Sequence, residues 1–360
     1  MKTILFYISG HGYGHSTRMM EIINHLIERQ PYAFCHIKTY APEWLYRLNL
    51  KNNYAYHHFV CDVGTVQGNS YHLNQLQTLR DYEAFVKKKK GQIETEVNFI
   101  RQANISLVVG DIPSLAFDIA AAAGVPSVAV GNFSWDWIYE PFVKEYPQYT
   151  YLVDEIKSAY AQADLLLRLP FHGDMSAFAK IEDIPLVGRK ARLPRERVRK
   201  NLGLNLHPEE KLVLVALRAN DLESVDWQNV NAIVGCRFLT FYPVTNGGNV
   251  LQLPPDYLPF EELVNASDAV ISKPGYGIVS ECIVNRTPLL YTPRFDFAEY
   301  DILAKALQTY GVVRFIPLDE FWAGQWEKYL QTLFEAAPQW RPIATHGAEV
   351  AAQRILEMTS

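Results

Sequence analysis

The chain has 360 residues, of which 49% are apolar, 13% aromatic and 20% charged. This length exceeds what one hydrophobic core supports and predicts two domains, and the apolar fraction excludes an intrinsically disordered chain. The formal net charge of −5 argues against a general nucleic-acid binder, which carries a basic excess. We interpret the lysine run Lys87–Lys90 as a solvated helix face, with contact to an anionic lipid or polyanionic acceptor as the alternative.

The cysteine pattern and the hydropathy indicate a cellular compartment. The four cysteines, Cys35, Cys61, Cys236 and Cys282, are far apart and show no zinc-site or disulfide spacing, which is typical of free thiols in a reducing cytosol. No stretch approaches the ~18 apolar residues of a transmembrane helix, and the first apolar run is too short for a signal peptide. We expect a cytoplasmic protein without a transmembrane segment, and peripheral contact with a membrane stays open.

Short apolar runs alternate with amphipathic segments along the chain, which is typical of a parallel sheet with crossover helices. The first set of predicted strands covers 3–8, 34–39, 106–110, 126–131, 164–169 and 185–187. After the arginine-rich stretch 188–211 the pattern restarts, with strands at 212–217, 238–242, 249–251, 268–272 and 288–291 and helices at 276–284 and 299–310. We therefore expect an α/β fold with domains at 1–189 and 190–345, and a helix within 346–360 that crosses back to the first domain.

The turn after the first strand, residues 9–19 (SGHGYGHSTRM), resembles a nucleotide-binding turn in which His15 replaces the third glycine. The next strand also ends without a carboxylate, so a dinucleotide cofactor is not expected. A helix N-terminus disfavours a protonated imidazole, and a neutral one can act as a general base. Asp111 ends a predicted strand that reaches the same sheet edge, so a His15–Asp111 dyad is one interpretation. The alternative is that His15 caps its helix or hydrogen-bonds a backbone carbonyl, and that Asp111 caps the next helix. His11, in the same turn, is a weaker candidate for the base.

A second strand, glycine turn and helix follow in the other half of the chain, at residues 269–281. Gly275 and Gly277 permit close approach of phosphate oxygens, Lys273 supplies a cation, and Glu281 is placed to bind ribose hydroxyls. The alternative is a tight turn with a surface lysine and a capping glutamate. Further candidates are Arg218 for the phosphates and Glu299 and Asp301 for sugar hydroxyls.

Together these motifs resemble the GT-B-fold glycosyltransferases that use nucleotide-diphosphate sugars, and more closely the non-kinase N-terminal region of plant L-arabinokinases. The resemblance lies in residues 10–18 (GHGYGHSTR), 132–139 (NFSWDWIY), 166–170 (LLRLP) and 273–281 (KPGYGIVSE). It implies two Rossmann-like parallel-sheet domains facing each other across a cleft. The first strand of the second half, 212–220, departs from the pattern because its turn has no glycine. No sugar-kinase activity is implied, since the kinase half is absent from the matched motifs.

The resemblance implies a glycosyltransferase that moves a sugar from a nucleotide-diphosphate sugar, expected to be a UDP-sugar, to an acceptor hydroxyl, with inversion, no metal and no further cofactor. His15 would be the base and Asp111 its partner. The expected donor-binding residues are Arg218, Lys273, Gly275, Tyr276, Gly277, Ser280, Glu281, Glu299 and Asp301. The expected acceptor-binding residues are His11, Gly12, Tyr13, Trp135, Asp136 and Trp137, the aromatic loop having ordinary packing as its alternative. The acceptor is a small molecule, a lipid-linked sugar or a glycan, and no nucleic acid is expected. Two other functions stay open, a sugar-nucleotide epimerase or hydrolase and a non-catalytic sugar-nucleotide-binding module.

Overall fold

The computed structural model describes residues 2–67, 72–204, 207, 209–244, 248–337 and 339–359. The chain divides into two compact units. The first unit contains the residues up to 67, residues 73–188 and the residues from 344 onward, and the second contains His72 and residues 189–343. Each unit is a parallel sheet combined with helices, so the predicted α/β class with two parallel-sheet domains is confirmed.

Within its described residues, the first unit has a seven-stranded sheet in the order β3-β2-β1-β4-β5-β6-β7. The strands are β1 Thr3–Ile8, β2 Phe34–Thr39, β3 Tyr54–His58, β4 Leu107–Asp111, β5 Ser127–Gly131, β6 Leu165–Arg168 and β7 Ile181–Asp183. The helices between them are α1 Tyr13–Arg29, α2 Glu43–Asn49, α3 Gln75–Gln102, α4 Leu115–Ala123, α5 Trp135–Glu145 and α6 Thr150–Tyr160, with a 3-10 turn at Pro147–Tyr149.

The central strands of this sheet are buried along their whole length, as expected for parallel strands covered by helices. Strand order reverses between β1 and β4, which pair in parallel with Ile8 opposite Asp111. Helix α1 buries one face, including Met19, Ile22 and Leu26, against the sheet. Ligands in sheets of this kind bind at the carboxyl ends of the strands where the order reverses. The edge between β1 and β4 is therefore the candidate position for a binding site in this unit.

Two elements of this sheet differ from the prediction. Residues 185–187 are not a strand, because the Leu186 N–H donates to the Ala344 carbonyl at 3.0 Å and the last strand lies earlier, at Ile181–Asp183. Strand β3 was not predicted, because its sequence YAYHH lacks an aliphatic run and its position at the sheet edge leaves it half-buried. Edge strands carry weaker hydrophobic patterns than central ones.

The second unit has a six-stranded sheet, among its described residues, in the order β10-β9-β8-β11-β12-β13. The strands are β8 Lys211–Val215, β9 Cys236–Thr240, β10 Val250–Gln252, β11 Ala269–Ser272, β12 Leu289–Tyr291 and β13 Val313–Phe315. The helices are α7 Arg195–Asn201, α8 Ala219–Leu222, α9 Trp227–Asn231, α10 Phe260–Ala266, α11 Tyr276–Asn285, α12 Tyr300–Tyr310, α13 Leu318–Trp322 and α14 Glu327–Glu335. The strand order reverses between β8 and β11, the position at which ligands bind in sheets of this kind.

The last helix, α15 at Gly347–Met358, packs against α1 in the first unit. Gly347 fits there because it has no side chain: a Cβ on it would lie 2.0 Å from the carbonyl oxygen of Pro185. The Arg354 guanidinium also bonds the Glu182 carboxylate at 3.0 Å. Among the described residues, no helix is both long and apolar enough to cross a membrane.

Candidate active site

The first candidate site lies where the strand order reverses between β1 and β4. The Ser9 N–H donates to the Asp111 carbonyl at 3.0 Å, which ties the turn after β1 to the end of β4. Gly12 is the residue before α1 and has φ of 92°, a conformation that favours glycine. Because α1 begins at Tyr13, His15 lies in the first helical turn. The short turn therefore delivers His15 to the edge at which Asp111 ends its strand.

His15 and Asp111 are hydrogen-bonded in this structure. The distance from His15 Nδ1 to Asp111 Oδ1 is 2.9 Å, and Asp111 is fully buried. Arg18, one turn further along α1, binds both oxygens of the same carboxylate, at 2.6 Å from Nε to Oδ2 and through Nη2 to Oδ1. Its Nη1 donates to Asn132 Oδ1 at 2.8 Å. Asp111 is thus held by a guanidinium and an imidazole from one helix.

The charges around Asp111 keep it ionised. Burial raises the pKa of a carboxyl group, but the charges of Arg18 and His15 and their hydrogen bonds outweigh burial and hold the pKa of Asp111 below its ordinary value. Arg18 Nη2 also lies 3.1 Å from His15 Nδ1. We assign the proton to Nδ1, because the carboxylate oxygen facing that atom is an acceptor and the arginine already donates to the same oxygen. This tautomer leaves Nε2 as the basic nitrogen.

Of the residues predicted to contact the acceptor, two lie together near the dyad. The rings of His11 and Trp135 are edge-on with centroids 6.0 Å apart, and Phe133 joins Trp135 to His15 through centroid distances of 5.2 Å and 5.6 Å. Tyr13 is half-exposed and packs edge-on against Trp44. The edge of the sheet beside His15 is therefore lined by aromatic rings.

The two residues that follow Trp135 have other surroundings. Asp136 is buried in the first turn of α5, where burial raises its pKa despite a hydrogen bond to Ser134 and the charge of Lys157. The Trp137 ring covers Gly173, where a Cβ would lie 2.6 Å from ring atoms. These contacts fit the packing alternative for Asp136 and Trp137 better than a direct contact with an acceptor.

The second candidate site is the carboxyl edge of the other sheet. Lys273, directly after β11, donates to Asp221 Oδ1 at 2.7 Å, and Asp221 is buried in helix α8 after β8. Burial lowers the pKa of Lys273, partly offset by the Asp221 charge. Burial also lowers the pKa of Arg294, after β12, to about 10, with Glu299 opposing and Arg218 adding to the effect. Three cations from three neighbouring strands, Arg218, Lys273 and Arg294, therefore converge at this edge.

The glycine turn at the start of α11 leaves space in front of the helix. Gly275 precedes the helix, and a Cβ placed on it would meet no atom of the described residues within 4 Å. Tyr276 and Gly277 form the first turn, and the Ser280 hydroxyl donates to the Gly277 carbonyl at 3.0 Å. A helix N-terminus with open space before it and cations beside it is suited to an anion.

Three predicted donor carboxylates are placed differently from one another. Glu281 is buried and its Oε1 accepts from Arg189 Nε at 2.7 Å, so it already holds an arginine. Arg189 also contacts Glu261 at 2.7 Å. Glu299 is buried at the start of α12, and Asp301 is exposed in its first turn. Of these carboxylates, Glu299 is the one whose charge acts on the Arg294 cation.

Comparison with known proteins identifies the family. The model of a family described as glycosyl transferase family 1 matches residues 2–334. The chain belongs to glycosyl transferase family 1. The description of this family indicates transfer of a glycosyl group.

Known proteins resemble this chain in sequence or in fold. L-arabinokinase of Arabidopsis thaliana is 30% identical over 361 residues, covering 98% of this chain and 34% of that protein. The chain thus spans about a third of the length of that relative. The glycosyltransferase of kitacinnamycin has a TM-score of 0.64 at 14% identity, over 100% of this chain and 99% of that one. UGT2 of Phytolacca americana, solved with UDP-2-fluoro-glucose and pterostilbene, has a TM-score of 0.62 at 11% identity, over 100% and 94%. At such identities the structural likeness shows the GT-B fold alone.

Several residues that hold the two sites of this glycosyltransferase were not predicted from its sequence. Arg18 belongs to the motif of residues 10–18, in which no role is predicted for it, although its spacing of three from His15 on one helix places both on the same face. Asp221 lies three residues after Arg218, the spacing of a helix-capping pair. Arg294 contacts Phe297 in its own segment, but its position beside Arg218 and Lys273 has no local signal, because those two cations follow separate strands. Arg189 binds Glu281 across more than ninety residues of sequence, so pattern reasoning does not reach that pair either.

Proposed function

We propose that this glycosyltransferase moves the sugar of a nucleotide-diphosphate sugar to an acceptor hydroxyl with inversion, without a metal, and with His15 as the general base. The observation that carries the proposal is the hydrogen bond of His15 Nδ1 to the buried, arginine-clamped Asp111 at the first sheet edge. A carboxylate held ionised beside Nδ1 stabilises the imidazolium that forms when Nε2 takes a proton.

The reaction step follows from these groups. His15 Nε2 removes the proton of the acceptor hydroxyl as its oxygen attacks the anomeric carbon of the donor. The bond between that carbon and the phosphate oxygen breaks, and the nucleoside diphosphate leaves with the bonding electron pair. Attack from the face opposite the leaving group inverts the anomeric configuration. Arg18 does not transfer a proton; it keeps Asp111 charged and in place.

The second unit supplies the binding of the leaving group in this proposal. Arg218, Lys273 and Arg294 provide positive charge for the diphosphate, and the N–H groups at the start of α11 add hydrogen-bond donors. Fixed cations of this kind can take the role that a divalent metal has in other sugar transferases. Binding of the diphosphate would also compensate the cost of burying Lys273 and Arg294.

The donor and the acceptor classes are part of the proposal. Uridine is the proposed base, since the Phytolacca americana relative was solved with a UDP-sugar. The aromatic rings beside His15 favour an acceptor with a ring face, either free or attached to a lipid or glycan. A cytoplasmic location is included because all four cysteines are free thiols.

The test is turnover of UDP-sugars and dTDP-sugars over a panel of sugars, polyols, phenols and lipid-linked sugars, by wild type and His15→Gln. The variant should lose about 10²–10⁴-fold in kcat/KM and keep its affinity for the donor. His25→Gln is the matched control, because His25 lies on the same helix, ten residues after His15, and pairs with Glu21 and Glu28 at 3.5 Å. Product anomer analysis by NMR decides between inversion and retention.

The outcomes separate this proposal from the two other functions. Full activity of His15→Gln would contradict the assignment of the base. Rapid conversion of the sugar nucleotide without any acceptor would favour an epimerase or hydrolase. Tight nucleotide binding with no turnover over the whole panel would favour a binding module.

A further inference from the structure

Asp62 is a buried carboxylate at the acceptor side that the proposed reaction does not use. It lies in the segment between β3 and α3 and is 3% exposed. Its Oδ2 accepts a hydrogen bond from the indole Nε1 of Trp135 at 3.0 Å. Its Oδ1 accepts no hydrogen bond from the described residues, and the His11 Nε2 atom lies 3.6 Å from it.

A buried carboxylate oxygen without a hydrogen bond is unfavourable, so its position calls for a physical reason. The hydrogen bond from Trp135 satisfies Oδ2 but leaves Oδ1 without a donor among the described residues. The His11 imidazole faces Oδ1, and its Nε2 can carry a proton. A shift of a few tenths of an ångström would turn the 3.6 Å contact into a hydrogen bond.

The His11 ring is confined on its other sides. Tyr40 packs edge-on against it at 5.1 Å between centroids, and Trp135 does so at 6.0 Å. Gly64 lies under the ring, where a Cβ would come within 2.1 Å of His11 Cγ. Gly64 also has φ of 66°, which disfavours any side chain there. The ring therefore has a fixed place, and that place directs Nε2 to Asp62.

We propose that Asp62 is a positioning residue that accepts the Nε2 proton of His11 and so makes His11 a second polar contact for the acceptor, beside the base His15. With the proton on Nε2, the Nδ1 lone pair of His11 accepts a hydrogen bond from a second hydroxyl of the acceptor. The two imidazoles are linked by a pair of rings in contact with each other, His15 packing on Phe133 and His11 on Trp135. An acceptor that contacts both imidazoles needs two hydroxyl groups, so its class is a polyhydroxylated ring, either a sugar or a cyclic polyol. This class rests on the proposed function.

The decisive measurement needs no substrate. Two-bond proton–nitrogen NMR spectra of the full chain, labelled with ¹⁵N in histidine, report which ring nitrogen carries the proton, and His11→Gln assigns the His11 signals. We expect a single Nε2–H tautomer for His11 in the wild type. Asp62→Asn, whose amide can donate as well as accept, should abolish that single tautomer. Gly64→Ala should do the same by displacing the ring while Asp62 stays in place.

Controls keep this test specific. Asp154→Asn changes an exposed carboxylate of the same unit and should leave the His11 signals unchanged. The His15 signals should be unchanged in Asp62→Asn. An unaltered His11 tautomer in both Asp62→Asn and Gly64→Ala would overturn the proposal, as would equal changes at His11 and His15.

A kinetic measurement tests the acceptor class. Asp62→Asn should raise KM for cyclic polyol acceptors by about tenfold or more, with little change for a simple phenol and no change in donor affinity. An equal loss for both acceptors would contradict the second hydroxyl contact. If the wild type transfers to neither acceptor, the proposed function fails, whereas the NMR result still decides whether Asp62 positions His11.

Discussion

Replacing Arg18 with methionine tests the physical basis of the first site. Methionine fills a similar volume but removes the positive charge and the three hydrogen bonds that Arg18 makes to Asp111 and Asn132. The fully buried Asp111 then keeps only His15 as a partner among the described residues. Removing one member of a buried ion pair costs about 3–5 kcal/mol, because an uncompensated charge stays behind.

That free energy corresponds to a large change in melting temperature. For a unit of this size a loss of 1 kcal/mol lowers Tm by about 2–4 °C, so Arg18→Met should melt about 6–20 °C below the wild type near neutral pH. Thermal and urea denaturation would measure it. Arg29→Met provides the control, because Arg29 is exposed at the end of the same helix and its replacement should change stability by less than about 0.5 kcal/mol.

The pH dependence of the unfolding free energy provides a second, independent test of this prediction. In the wild type the pKa of Asp111 is depressed, so its contribution to stability is present above the ordinary carboxyl pKa and is lost as the pH falls through the depressed value. In Arg18→Met burial remains without the arginine charge, and the pKa of Asp111 should be raised. The folded variant then takes up a proton before the unfolded chain does, and it regains stability on acidification.

The difference in unfolding free energy between the two proteins should therefore shrink between about pH 7 and pH 4. Two results would refute the reasoning. One is an unfolding free energy of Arg18→Met less than about 1 kcal/mol below that of the wild type, and the other is a difference that stays constant over this pH range. Arg18→Lys retains the charge but not the bidentate hydrogen bonding, so its stability should lie between those of the wild type and Arg18→Met.

Three further substitutions have defined outcomes. Lys273→Met removes one cation from the predicted diphosphate site and leaves Asp221 buried without that partner. The affinity for UDP, measured by calorimetry, should therefore fall about tenfold or more. An unchanged affinity would exclude Lys273 from the site. Gly347→Ala places a Cβ 2.0 Å from the Pro185 carbonyl oxygen, which is backbone and cannot move cheaply, so urea denaturation should show a loss of about 1–3 kcal/mol. Gly91→Ala adds a methyl group inside α3 that has no atom of the described part of the chain within 4 Å, so it should stabilise the chain by about 0.5–1 kcal/mol. A loss of stability in urea denaturation would contradict that open environment.

The buried parallel strands could be predicted from the sequence because most of them are short runs of mainly apolar residues. Thr3–Ile8 and Phe34–Thr39 have the bounds that the pattern predicts, and Leu107–Asp111 differs by one residue at each end. The edge strands Tyr54–His58 and Val313–Phe315 were missed, because side chains at a sheet edge are partly exposed and need not be aliphatic. The segment 185–187 was misassigned because its apolar residues pack against the returning end of the chain.

The same distinction applies to the candidate site. His15 and Asp111 each end a recognisable strand-and-turn unit, so their meeting at one edge follows from the rules of parallel sheets. Arg18 and Asp62 follow no such rule: the first is buried by an ion pair across 93 positions, and the second by an indole 73 positions away. Local periodicity carries no information on partners that far apart.

The first unit is discontinuous along the chain, and this has a consequence during protein synthesis. Residues 189–343 are made before the segment from 344 onward that completes this unit. At translation rates of about 5–20 residues per second, the face of α1 that α15 covers stays unprotected for roughly 10–30 s. The newborn chain therefore presents an apolar helix surface to chaperones, or to other copies of itself, in that interval. Mutations that weaken α15 should then reduce the yield of folded protein more than its activity per folded molecule.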